Sequence, residues 1–396
     1  MNKKFLDLGY QPLANKYLKK YRKLSVYRKE LYNLSVGFNT KTKLVSLLKK
    51  IPDKKMFDNT YPYKSSMSKT MISSFKKLSI KIKKKFDPNL FLEIGSNDGA
   101  LIRNFNKNKV ICVEPCSNLA KITKRIGYET FNDYWGQKLA KKIKKKFNNI
   151  NVIYSANTLT HINDLNDVFK SISLILKNNG VLIIEDPSLL ECLKKASYDQ
   201  FYNEHIYIFS ALSVNKIINK FGLELFDIEK LNTHGGSLRY YIKRKVNNKI
   251  KISINVKKQL DLEINFGLGR YKTYQKFSET VAKSRKNLIR IVKELKSKKQ
   301  KIIGYGATAK ACTIINYCNF DNKIIDYFLD TTPDKKNRYI PGTNIKILKY
   351  NKKLLNKVNY IFLGAWNFKS EILKKEKLYI KKGGKFITHV PSPKIF

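Results

Sequence analysis

From about residue 76 the chain alternates short apolar runs with segments whose apolar positions recur at helical spacing. That alternation predicts a doubly wound α/β unit. The apolar runs are "LFLEIG" (90–95), "VICVEP" (110–115), "NVIYSAN" (151–157) and "GVLIIEDP" (180–187). Two later runs, "LELFDIEKL" and "SLRYYIKR", predict an antiparallel pair that closes the same sheet. Residues 246–300 are lysine-rich and helical by period, most clearly in "FSETVAKSRKNLIRIVKELKSKK", and predict a connector. A second α/β unit begins at "KIIGYGATAKACTIINYC" and continues through "IIDYFLD" and "VNYIFLGAW". Ahead of all this, turn signals at "DLGYQPLAN", "IPDKK" and "NTYPYKSS" predict a small, irregular N-terminal domain. The expected division is 1–75, 76–245, 246–300 and 301–396, in keeping with a chain of 396 residues.

The first glycine-bearing loop carries the sharpest chemical signal. "FLEIGSNDGALI" (91–102) is an apolar strand with Glu93, then a Gly95-x-x-x-Gly99 turn, then a helix start. Glycine is needed where the backbone turns sharply and a ligand approaches with no Cβ in the way. The pattern is not the GxGxxG of dinucleotide binders. It has the E/D-x-G-x-x-x-G shape of class I S-adenosylmethionine (SAM) methyltransferases, and an acid ending the next strand, Glu114, stands ready for two ribose hydroxyls. Glu93, Gly95, Asn97, Asp98, Gly99 and Glu114 form the expected cofactor set, with Asn132 of "FNDYW" at the adenine position and Asn157 where the fourth strand ends.

Charge changes this picture less than its size suggests. The formal net charge is +50 and invites a nucleic-acid reading. The basic residues are mostly lysine, spread along the whole length, and Asn and Ile are abundant too; all three have A/T-rich codons, so genome composition accounts for the charge. A nucleic-acid methyltransferase would show clustered basic and aromatic residues and an N/D-P-P-Y-like strand, which "EDPSLL" lacks. An anionic small substrate would still benefit from steering. The five cysteines form no CxxC pair, so neither a metal site nor a disulfide framework is expected. The start "MNKKFLDLGYQPLANKYL" has no apolar core of a signal peptide, and no apolar run reaches the ~20 residues of a membrane helix. A cytoplasmic, reduced protein, with no nucleic-acid or membrane partner and acting as monomer or homodimer, is the expectation.

"LDLGYQPLANKYL", "YPYKSSMSKTM", "EIGSNDGALI", "VEPCSNLA", "ANTLTHINDL", "YNEHIYIFS", "THGGSLRYYI", "GYGATAKACTIINYC", "DTTPDKKNRYIPGT" and "AWNF" occur in this order. On these stretches the chain resembles the nucleotide-sugar C-methyltransferases of deoxysugar pathways, the group that methylates C-3 of dTDP-linked keto-sugars. The resemblance implies a small N-terminal domain, a class I SAM methyltransferase Rossmann-like domain, and a second C-terminal Rossmann-like α/β domain, with the substrate between the last two. Relatives of this kind hold a structural zinc on two CxxC pairs. Here the second pair would fall near Asn39 and Thr42, so no zinc is expected.

C-methylation needs a carbon nucleophile, which a carbon beside a ketone supplies once a base removes its α-proton. The resemblance makes His205 of "YNEHIYIFS" that base, gives Tyr202 and Glu204 supporting roles, and adds one tyrosine of "YPYKSS", Tyr61 or Tyr63, with Tyr63 preferred. Neighbours on a strand point to opposite faces, so Glu204 can hold His205 directly only in a turn. His161 has two readings, substrate contact or helix start, and His234 of "THGGSLR" either meets the sugar or phosphates or lies in a turn. "GYGATAK" (304–310) can cradle phosphates with Lys310 adding charge, or be a Rossmann turn that only packs. Arg338 and Tyr339 are candidate nucleotide contacts. His389 has no motif around it. A SAM- or nucleotide-binding protein without catalysis is a competing reading, and a nicotinamide oxidoreductase built on "GYGATAK" ranks last because the loop lacks GxGxxG.

Overall fold

The computed structural model describes residues 2–20 and 30–396. Three strands open the chain: β1 (Asn2–Gln11), β2 (Tyr32–Asn39) and β3 (Val45–Leu47), an antiparallel meander. The described residues ahead of 75 therefore include an ordered sheet where the sequence predicts irregular chain. Along β1 the register shifts twice, between Lys4 and Leu6 and between Asp7 and Tyr10. These irregularities break the period-2 pattern, and Asp7 and Gly9 read as a turn although they sit inside a strand. At the β2–β3 turn, Asn39 Oδ1 accepts from the backbone N–H groups of Lys41 (3.0 Å) and Thr42 (2.9 Å). The positions implied for a cysteine pair thus form a turn capped by an amide, a donor set unsuited to zinc. Among the described residues no group of three His, Cys, Asp or Glu side chains is arranged to hold a metal.

A long amphipathic helix, Lys69–Phe86, leads into the central sheet, starting earlier than the apolar alternation suggests because Ser68 caps it through Met71 N–H. The strands β4 (Phe91–Ile94), β5 (Val110–Val113), β6 (Glu129–Phe131), β7 (Val152–Ala156) and β8 (Val181–Pro187) are parallel. The next strand, β9 (Tyr207–Ile208), leaves this sheet and pairs with β3 of the N-terminal one. Then β10 (Leu223–Leu231) and β11 (Ser237–Arg244) return as an antiparallel pair, giving the order β10-β11-β8-β7-β4-β5-β6. This is the mixed sheet of a class I SAM methyltransferase. The central strands are buried on both faces, which is why they read as continuous apolar runs.

Helices Ile254–Phe266 and Tyr271–Ser297 form the connector. The longer one is more than a spacer: Tyr274, Phe277 and Val281 share a core with Phe5 and Phe38 of the N-terminal sheet. The C-terminal unit has β12 (Ile302–Tyr305), β13 (Tyr327–Asp330), β14 (Lys346–Lys349), β15 (Tyr360–Leu363) and β16 (Lys385–Thr388), all parallel, with β17 (Lys394–Ile395) antiparallel at the edge. Its order, β14-β13-β12-β15-β16-β17, puts the reversal of strand order at β12/β15. Crevices for ligands form there, outside the carboxyl ends of the strands.

Candidate active site

One cavity of about 430 Å³ runs between the carboxyl ends of the two parallel sheets, within the range of small-molecule sites. Its first lobe is built on β4 and β5. Gly95 has φ +77, and a Cβ there would strike the Thr158 side chain. Asn97 follows at φ +51, a conformation Asn tolerates. Glu114 closes the loop: one oxygen accepts from Asn97 N–H and the other from Cys116 N–H, both at 2.8 Å. Burial raises its pKa, with the two backbone donors opposing the rise. Glu93 also lines the lobe, and its buried Oε2 has no hydrogen-bond partner. Its pKa lies well above the usual carboxylate range through burial first, then the charges of Glu114 and Asp98. An unpaired buried carboxylate in an acidic, glycine-lined cradle suits a ligand bearing positive charge and donors. SAM has both, and Glu93, Gly95, Asn97 and Glu114 would hold it.

Two of the expected cofactor residues do other work. Asp98 accepts from Ser66 N–H (3.3 Å) and from the Ser66 hydroxyl, and Asn97 accepts from Ser65 N–H (2.9 Å), so the "YPYKSS" segment is fastened over the loop. Asn132 lies outside the cavity wall, because its amide donates to the carbonyls of Glu114 and Pro115, both at 2.9 Å. Gly99, at φ +83, shapes the turn behind the lining.

His205 lies where the two lobes meet. Tyr202–His205 form a turn, with His205 N–H donating to the Tyr202 carbonyl at 2.9 Å, and the chain then enters β9. In the ring, Nδ1 is 2.8 Å from the Gln200 carbonyl and Nε2 is 2.6 Å from the Tyr202 hydroxyl. A carbonyl oxygen only accepts, so Nδ1 carries the proton and Nε2 keeps its lone pair. Burial, then the neighbouring His161 and Lys310, hold the His205 pKa well below 6.5. The ring belongs to a stack, His205 on His161 (centroids 5.1 Å apart) and His161 on Phe57 (5.5 Å). His161 lines the cavity with a buried, unpartnered Nε2, and burial lowers its pKa to about 4.

Glu204 does not touch the imidazole. It is buried on the far side of the turn, where its carboxylate accepts from Asn15 Nδ2 (2.8 and 2.9 Å) and from the Tyr61 hydroxyl (2.9 Å). Burial pushes its pKa up to about 7, against the pull of those donors. Of the two candidate tyrosines it is Tyr61, not the preferred Tyr63, whose phenol reaches the His205 turn; Tyr63 sits at the cavity rim, 44% exposed. Asn15 and Gln200 escape sequence reading because one lies 189 residues from its partner and the other acts through its backbone.

The second lobe belongs to the C-terminal sheet. Gly306 has φ +80, and Asp330 at the end of β13 accepts from Ala307 N–H and Thr332 N–H, both at 2.8 Å. Lys335 Nζ is 3.3 Å from Asp330, and Lys310, Lys335 and Lys375 all line this lobe. Lys310 is buried and donates to the His234 carbonyl at 3.4 Å; burial lowers its pKa to about 8, with Asp199 opposing. His234 lines the cavity from a turn at φ +54, its Nε2 3.4 Å from the Asn157 amide. Arg338 is not in the wall: it donates to the Tyr17 carbonyl at 3.3 Å, while the Tyr339 backbone bridges to Leu18. Both brace the N-terminal segment, which is what takes them from a nucleotide.

Two family models match the chain, a methyltransferase domain over residues 63–228 and a C-methyltransferase C-terminal domain over residues 232–391. The C-methyltransferase NovU of Streptomyces niveus is 27% identical over 311 residues, 78% of this chain and 74% of that protein. Among solved structures, a SAM-dependent methyltransferase of Thermotoga maritima aligns at 20% identity over 44% of this chain and 92% of its own, TM-score 0.34. The SAM-bound magnesium protoporphyrin IX methyltransferase of Synechocystis PCC 6803 aligns at 10% identity over 44% and 78%, TM-score 0.32.

Proposed function

We propose that this chain, a SAM-dependent C-methyltransferase, methylates the carbon beside the ketone of a nucleotide-linked keto-deoxysugar, with His205 as the base. The observation that carries this reading is the fixed tautomer of His205: its proton faces the Gln200 carbonyl, and the basic Nε2 lies at the Tyr202 phenol on the cavity wall. A neutral imidazole with an available lone pair is the form that abstracts a proton near neutral pH. As the substrate enters, the Tyr202 hydroxyl turns from Nε2 to the ketone oxygen. The α-proton then passes to Nε2 while the phenol hydrogen-bonds the developing enolate. SAM, when bound, would supply the electrophilic methyl group to the enolate carbon, its S–CH3 bond breaking to leave S-adenosylhomocysteine. Burial and the neighbouring His161 and Lys310 oppose protonation of His205, so the ring waits in its neutral, proton-accepting form.

The nucleotide reading draws on the second lobe. Its glycine loop, the helix start at Thr308 and three lysines suit a diphosphate, and Tyr350 and Phe368 offer aromatic surface to a base. The test is label transfer from methyl-labelled SAM to a panel of dTDP-, GDP- and UDP-linked 4-keto-sugars. Wild type should label at least one, and His205→Gln should not. In heavy water without SAM, wild type should wash the sugar α-proton out and the variant should not. No acceptor in the panel, or full activity in His205→Gln, would sink the reading.

A further inference from the structure

We infer that the C-terminal domain sets the proton position and the aim of His205, with Trp366 and Asp199 as positioning residues. The inference rests on His205 being the base, and concerns what keeps it in working order. Gln200 alone decides the ring tautomer, through its backbone carbonyl 2.8 Å from Nδ1. That carbonyl is the last of a single 3-10 turn, Tyr198–Gln200, in the methyltransferase domain. At the middle of the turn stands Asp199, with no exposed surface. A buried carboxylate is costly unless donors from its surroundings satisfy it. Here the donor comes from the other domain. Trp366 Nε1–H donates to Asp199 Oδ2 at 2.5 Å; His389 Nε2 lies 3.2 Å from the same oxygen without forming a hydrogen bond, and Oδ1 has no partner among the described residues.

Both partners follow the carboxyl ends of C-terminal strands, Trp366 after β15 and His389 after β16. The indole also supports the second turn beside the base. A Cβ on Gly235 would strike the Trp366 ring, and Lys310 Nζ lies over that ring at 5.2 Å. The Gln200 side chain donates to the His234 carbonyl at 2.9 Å, the same oxygen that Lys310 approaches. One side chain of the C-terminal domain therefore seats two turns of the methyltransferase domain, and the Gln200 carbonyl ends the first of them. With the indole N–H removed, Asp199 relaxes toward other partners and carries the carbonyl with it. The Nδ1 proton then loses its acceptor, and the imidazole is free to place its proton on Nε2, where it cannot act as a base.

Histidine ring tautomers are read directly by ¹⁵N–¹H correlation spectroscopy on ¹⁵N-labelled full-length protein. Wild type should show His205 protonated on Nδ1; a wild-type ring protonated on Nε2 overturns the inference at once. Trp366→Phe removes the donor and keeps a smaller aromatic ring in its place. It should lose the Nδ1–H signature and slow α-proton washout roughly 100-fold, the scale of a 1 Å misplacement of a catalytic group, while the Kd for SAM stays unchanged. Asp199→Asn should act in the same direction and serves if Trp366→Phe does not fold. A variant that melts earlier yet keeps wild-type tautomer and washout rate overturns the inference, because the clamp is then only structural. If His205→Gln retains washout, the assignment of the base fails instead, and the tautomer shift in Trp366→Phe still decides whether the clamp exists.

Discussion

The two glycine loops of this chain share a hydrogen-bonding frame and have opposite electrostatics. In each, a glycine at positive φ follows a parallel strand and an acid ends the neighbouring strand. The carboxylate accepts from a loop N–H and from the N–H two residues beyond itself, all four bonds at 2.8 Å. What differs is the company. Glu114 shares its lobe with the unpaired Glu93, whereas Asp330 is met by Lys335 with Lys310 and Lys375 nearby. The shared frame supplies close approach, and the side chains around it choose the sign of the ligand's charge. On the function proposed above, the cationic methyl donor would take the first lobe and the phosphate-bearing substrate the second.

This division can be broken one lobe at a time. The largest effect is expected of Gly95→Ala. A left-handed φ and an overlap with Thr158 should weaken SAM binding about 100-fold, or ~2.7 kcal/mol. Calorimetry should find binding of the keto-sugar nucleotide intact; loss of both affinities would mean the lobes are not separable. Next, Lys310→Met should raise KM for the nucleotide-sugar about tenfold, the ~1.4 kcal/mol of one charge-assisted contact, and leave the Kd for SAM unchanged.

Titration should then separate the lobes by direction. Lys310 is charged below its pKa of about 8, so nucleotide affinity should fall as pH rises through that value. Glu93 and Glu114 have raised pKa values and gain charge as pH rises above the ordinary 4.5, so SAM affinity should strengthen over that range. Parallel pH profiles for the two ligands would contradict the assignment. The last effect is on stability and not on affinity: Asp330→Ala leaves two backbone N–H groups without their acceptor and should cost about 1–3 kcal/mol, read as a lower midpoint in urea.

Local signals were legible in the sequence and long-range ones were not. The central strands and Glu114 are set by neighbours a few residues away, and the apolar runs and the acid at a strand end display them openly. The N-terminal sheet stayed hidden because the irregular register of β1 interrupts its alternation. Tyr61 and Tyr63 are equivalent by composition and spacing; only the fold of their segment over the Gly95 loop turns one phenol inward. Asp330 ends "IIDYFLD" as plainly as Glu114 ends its strand, yet without GxGxxG ahead of it nothing marks it as the partner of a glycine loop. Glu204 went the same way: adjacency to His205 suggested a dyad, but the turn sends the two side chains apart and gives the carboxylate to Asn15 and Tyr61.

The ring stack of Phe57, His161 and His205 has a stereochemical consequence. An imidazole held flat against a second ring and pinned at both nitrogens has no freedom to follow a proton presented elsewhere. If His205 is the base proposed above, regiochemistry and facial selectivity belong to the docking of the substrate: whichever carbon is brought beneath that stationary nitrogen is the one enolised. Changing the product of such an enzyme means recutting the walls that orient the sugar, with the base left where it stands.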